Sequence, residues 1–137
     1  MLAGVVWTVQ LVVYPAFAVV GPTGVWARHH GEHSRRMAAT VMVPWAAQGA
    51  TLGLLLIRRP AGIPLPLLAL TASLALATVV LTAAVAVPAH ARLAAAYDQE
   101  TSRRLLHANW LRVAAWTAGA GCALAMLTLH ATEAAGG

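Results

Sequence analysis

The sequence predicts an all-α integral-membrane four-helix bundle, and three observations carry that prediction. Hydrophobic residues occupy 60% of the 137 positions and charged residues only 9%, against about 45–50% and about 25% in soluble domains. A chain this short has too much surface to hide so many apolar side chains from water, which makes the bilayer its natural solvent. Four apolar runs, over 2–20, 37–57, 65–87 and 105–129, each approach the roughly 20 residues that cross the hydrocarbon. They are read as helices because lipid leaves an open strand edge without hydrogen-bond partners. The whole chain reads as one domain.

Each element has its own signals. The first run resembles a signal peptide in length, but it lacks a basic leading segment and is interrupted by Gln10 and Tyr14-Pro15. No small-residue cleavage site follows, so it is kept as a span. Gly21-Pro22-Thr23-Gly24 reads as a turn. From Val25 the chain runs helically into the second span and past Pro44, whose ring is expected to kink the helix and free a carbonyl near residue 40. Arg58 to Pro64 connects to the third span, where Thr71, Ser73, Thr78 and Thr82 are expected to bond back to their own helix. Residues 89–104 read as a short interfacial helix and a break near Gln99–Ser102, with Thr101 or Ser102 capping the fourth helix. Cys122, the single cysteine, reads as a small apolar packing residue, and the tail Ala131–Gly137 as frayed.

All nine basic residues are arginines, and eight flank the apolar runs, the pattern of membrane-surface anchoring. Nucleic-acid binding is set aside because no recognition module is present. Four spans put the first and third connections on one side, with Arg28, Arg35, Arg36, Arg92, Arg103 and Arg104; Arg58 and Arg59 lie on the other. The positive-inside rule places the first side in the cytoplasm and both termini outside, as in a bacterial inner membrane.

Five of the six histidines fall on that arginine-rich side. Helical periodicity extends the polar cluster inward: Trp7, Gln10, Tyr14 and Phe17 share one face, His30, His33, Met37, Val41, Pro44 and Gln48 a second, and Leu105, Asn109, Arg112 and Trp116 a third. Such stripes belong inside the bundle, because polar groups facing lipid are costly. Arg112 has two readings, a side chain snorkelling to the headgroups or a buried guanidinium for an anionic or carbonyl oxygen, held by Asn109 or Tyr14. His30, His33 and His90, with His29 and His107 as alternates, read as ligands for iron or copper, as bases without metal, or as headgroup-facing polar residues. Haem is left open by the same residues. Trp26, Trp45, Trp110 and Tyr97 read as interfacial belts; Glu32, Asp98 and Glu100 read as solvated loop charges.

Tyr14-Pro15, His30-x-x-His33, Val41-x-x-Pro44, Val87-Pro88-x-His90-x-x-Leu93 and Asn109-Trp110-Leu111-Arg112 with Trp116 together resemble small four-helix bacterial membrane proteins related to the anthrone-oxygenase-like membrane family. The resemblance spans nearly the whole chain on short motifs. It implies oxidation of polycyclic aromatic intermediates in natural-product pathways, with Asn109 and Arg112 in the closing motif and His30, His33 and His90 at the histidine positions. Gln48 departs from the pattern, since many relatives carry an acid there, and this weakens a carboxylate-assisted metal site.

Three functions are therefore expected to compete. One is a membrane oxidoreductase or oxygenase whose pocket, near the cytoplasmic leaflet, takes a lipophilic small molecule, with Tyr14, His30, His33, His90, Asn109 and Arg112 as its site. Another is a non-catalytic carrier or an anchoring subunit for a soluble partner, recruited by the basic face. The third is a metal-free acid–base isomerase or cyclase. A homo-oligomer is compatible with each.

Overall fold

The computed structural model describes residues 1–60 and 62–136 and is all-α, with four helical rods and no strand among the described residues. The first rod runs Leu2–Val20, the second Trp26–Ile57, the third Leu65–Ala95 and the fourth Gln99–Gly136. All four are long and apolar enough to cross a membrane. The second starts well before its apolar run, as its sequence predicts. The turn over Gly21–Val25 and the break over Ala96–Asp98 lie at one end of the bundle, where Gly21 packs directly against the Tyr97 ring. The other connection lies at the opposite end, where Gly62 meets the Glu133 carboxylate.

The first and third rods each contain a widened π turn, Val9–Val13 and Thr82–Ala86. Each lies just before an X-Pro pair, Tyr14-Pro15 or Val87-Pro88. Proline lacks an N–H and its ring collides with the carbonyl four residues back. Here the N–H of Tyr14 reaches five residues back to Val9 O, and that of Val87 reaches Thr82 O. The extra residue in each turn lets a proline sit inside a continuing helix. Pro44, by contrast, lies within an unbroken α-helix, and the Thr40 hydroxyl bonds Arg36 O at 2.9 Å.

The third-helix hydroxyls behave as expected: Thr71 bonds Leu67 O at 2.8 Å, Ser73 bonds Ala69 O at 2.9 Å and Thr78 bonds Ala75 O at 2.7 Å. Three expectations need correction. Residues 89–95 are not a separate interfacial helix but the end of the third rod. The break comes at Ala96–Asp98, and the cap is Asp98 rather than Thr101 or Ser102. The Asp98 carboxylate accepts from the Thr101 N–H at 2.8 Å and from the Thr101 hydroxyl, which satisfies a donor that the first helical turn leaves free. The tail also stays helical to Gly136, in keeping with the high helix propensity of alanine; Gly137 lies outside the described residues.

The core is concentrated where the first, third and fourth helices meet. Phe17, Leu93 and Leu105 are completely or almost completely buried in one cluster with Tyr14 and Trp26. The second helix is held mainly through its first two turns, since no residue in its most apolar stretch is buried inside the protein. That stretch is exposed on one side and walls a cavity on the other.

Candidate functional site

Phe17, at the last full turn of the first helix, is 0% exposed and organises the site. Its ring meets His33, Trp26, His30 and His90 edge-on, at centroid distances of 5.0, 5.1, 5.8 and 6.3 Å. Edge-to-face geometry of this kind is the favoured arrangement for aromatic pairs. The Trp26 indole N–H donates to Leu93 O at 2.8 Å, supplying a partner to a carbonyl in the last turn of the third helix. Trp26 is thus a buried tie between the second and third helices, not the interfacial belt residue its position suggests.

Within this frame three side chains form one hydrogen-bonded chain. His30 Nε2 lies 3.1 Å from His90 Nδ1, and His90 Nε2 lies 3.3 Å from the Tyr14 hydroxyl. His30 and Tyr14 are buried, at 1% and 4% exposure. The chain can hold its protons in two ways. Tyr14 donates to His90 and His90 to His30, or His30 donates to His90 and His90 to Tyr14, which frees the Tyr14 O–H. In a surrounding of low dielectric such bonds polarise one another.

A cavity of about 310 Å³ opens beside this chain. Tyr14, His33, Ser34, His90 and Arg112 line its polar part; Leu2, Val6, Val41, Trp45 and Trp116 line its apolar part. From Tyr14 to Leu2 on the first helix, or His33 to Trp45 on the second, the cavity follows the bundle for about 18 Å at 1.5 Å per residue. Its polar side chains gather at one end and its apolar ones extend along the rest. Arg112 does not simply snorkel outward. It lines the cavity beside Tyr14 and His90, has no acidic partner among the described residues, and its Nε is buried without a hydrogen-bond partner. The Ser34 hydroxyl is likewise buried and unpartnered on the same wall.

The other expected residues divide. Asn109 is 1% exposed but lies off the cavity, donating to Gln10 Oε1 at 2.9 Å. With the Gln10 amide in its alternative orientation, its oxygen accepts from Trp110 Nε1 at 2.9 Å and its nitrogen donates to Leu106 O at 3.2 Å. Either orientation ties Gln10 on the first helix to the fourth, but the bond to Asn109 belongs to the first orientation alone, since in the second the two amide nitrogens face each other. His29 faces a separate outer groove. His107 is exposed on the fourth helix, away from the histidine cluster. The second-helix wall follows His33, Met37, Val41 and Trp45, with Ser34 and Ala38 beside them, so the stripe advances by four residues at each step and misses Pro44 and Gln48. Trp45, expected in an interfacial belt, lines the cavity instead at the next i+4 position after Val41, and Ser34 joins the polar lining although spacing gave no signal for it.

The imidazoles do not converge as a three-ligand metal site would require. His90 directs both ring nitrogens at protein neighbours, and the His33 ring stacks on it at 30° and 5.8 Å. Glu32, the nearby acid, is bonded to Arg35 and Arg36. Among the described residues no group of three or more His, Cys, Asp or Glu is arranged to hold a metal ion. Compared with protein-family models, curated proteins and solved structures, the chain matches none.

Proposed function

We propose that this chain is an integral-membrane enzyme that removes a proton from the oxygenated end of a slender lipophilic substrate, in the manner of an oxygenase acting on phenolic or anthrone-like rings. The observation that carries the reading is the Tyr14–His90–His30 hydrogen-bonded chain ending at an apolar cavity that Arg112 also lines, with its Nε buried and without a hydrogen-bond partner. The resemblance to the anthrone-oxygenase-like family supports the substrate class. The proposed orientation puts the histidine end at the cytoplasmic leaflet of a bacterial inner membrane, with both termini outside.

The step balances without an added metal. An acidic C–H or O–H of the substrate gives its proton to the Tyr14 oxygen as the Tyr14 proton passes to His90 Nε2 and the His90 Nδ1 proton passes to His30 Nε2. The substrate retains the electron pair as an enolate or phenolate, and His30 becomes the imidazolium. Arg112 donates to the new oxyanion, the place where preformed charge contributes most. With dioxygen as oxidant, a ring methylene becomes a carbonyl: one oxygen atom enters the product and the other leaves as water. His33 and Ser34 orient the oxygenated end. Asn109 acts only by fixing the first helix, and therefore Tyr14, against the fourth.

Anthrone turnover and oxygen uptake by the protein in lipid nanodiscs test this, with metal content measured on the same sample. Tyr14→Phe and His90→Gln are expected to lower kcat by about 10²–10⁴, the usual contribution of a positioned acid–base group. Arg112→Leu is expected to raise KM as well as lower kcat. Full activity in Tyr14→Phe and His90→Gln would sink the proton chain. Stoichiometric metal whose removal abolishes turnover would replace the mechanism with a metal-based one. Tight binding of lipophiles with no turnover would make the protein a carrier.

A further inference from the structure

A second recess, of about 660 Å³, lies on the outside of the bundle between the first and second helices. Val13 and Ala16 form part of its apolar wall, and Arg28 and Arg36 stand on its charged side. His33 and Met37 line this outer groove and also line the inner cavity. Only those two residues belong to both, so they form the partition. The second helix is anchored at its start by Trp26 and His30 and buries nothing fully in its apolar stretch, so here its contact with the first helix rests on His33 against Phe17 and on Met37.

The geometry points to a lateral portal: an amphipathic substrate enters from the leaflet along the outer groove, and the His33–Met37 pair is the gate into the cavity. The chemistry of the groove selects the occupant. A flat or chain-like apolar body fits against Val13 and Ala16, and a phenolic or enolic oxygen is drawn to the Arg28 and Arg36 side. Glu32 offsets part of that positive charge through its bonds to Arg35 and Arg36, whereas Arg28 has no acidic partner among the described residues. Met37 suits a gate because an unbranched thioether changes shape at little cost. This inference rests on the cavity being the substrate site, but it makes its own kinetic claim.

Menadione, a lipophilic quinone that quenches tryptophan, is mixed rapidly with the protein in lipid nanodiscs. The quenching phase that disappears in Trp45→Phe/Trp116→Phe reports arrival in the inner cavity. Ala16→Phe, which fills the groove but does not line the cavity, is expected to slow association and dissociation together by about tenfold or more and leave Kd unchanged. Met37→Ala is expected to speed both. If neither variant alters either rate while Tyr14→Phe still lowers kcat by the expected factor, the portal is overturned and the chemistry stands. If wild-type protein shows no cavity phase, both the portal and the substrate site are overturned.

Discussion

Replacing Phe17 by alanine separates packing from solvent transfer in a way few positions allow. In a soluble core, Phe→Ala removes both the transfer term and the packing of the lost ring, for about 3–5 kcal/mol. Here the unfolded reference is a set of helices still in lipid, whose tails are as apolar as the core, so the transfer term largely cancels. What remains is the cavity. At about 24 cal/mol per Å³, and with roughly 100 Å³ of ring removed, the loss is about 2.4 kcal/mol. Phe17 is a stringent site because it is 0% exposed and lies against six aromatic rings. Leu76, 63% exposed on the third helix, is the control and should lose almost nothing as alanine. Reversible unfolding in mixed micelles of mild and ionic detergent measures both. A Phe17→Ala loss no larger than that of Leu76→Ala would refute the argument that this ring organises the histidines.

Other perturbations follow from single contacts. A Gln10→Leu and Asn109→Leu double-mutant cycle should give a coupling of about 0.6 kcal/mol and at most about 1.7, the average and the maximum for interhelical bonds in a membrane protein, and a zero value would mean that the pair is only adjacent. Gly21→Ala should cost about 1 kcal/mol or more, because a Cβ there collides with the Tyr97 ring. Adding Tyr97→Ala to it should recover part of that loss in a thermal melt. Asp98 is held below the usual carboxylate range by the Thr101 hydroxyl and then by the Thr101 N–H. A depressed folded value means its stabilising contribution is present above the ordinary carboxylate value of 3.8 and fades as pH falls through the lower folded value. Melting midpoints between pH 5 and about pH 2 should therefore fall more steeply for wild type than for Asp98→Asn; equal slopes would remove the cap from the account.

The four rods and their common arginine-rich end were legible because composition and run length act on the whole chain at once. That Tyr14, His30, His33 and His90 share one end of the bundle was also legible, since the alternation of four spans puts those helix ends on one side; i,i+3 spacing aligns only His30 with His33. Asn109 showed the limit of that reasoning. It shares the Arg112 face by spacing, yet its hydrogen bond to Gln10 holds it off the cavity, and no pattern along one helix reveals which partner a neighbouring helix offers. Trp26 misled for a related reason. A tryptophan beside arginines fits a membrane interface, but the unpaired carbonyl of Leu93 that takes its N–H comes from a different helix 67 positions away. The position of the last cap turned on a local choice between neighbouring polar residues, Asp98 and Thr101, which the carboxylate's bond to the Thr101 N–H decides.

The π turns bear on how this chain tolerates change in length. Each amounts to one residue inserted into an otherwise regular helix, and one residue is roughly 100° of rotation. The two halves of the first helix are therefore phased independently: Val6 and Val9 face their neighbours on one side of the turn, and Tyr14 and Phe17 on the other. Deleting Leu11 would leave a continuous rod but force one half to turn away from its partners. A relative one residue shorter at that point would have to rebuild either its apolar floor or its tyrosine end. Pairwise alignment of such chains should place its gaps inside Val9–Val13 or Thr82–Ala86, within what hydropathy alone presents as uninterrupted spans.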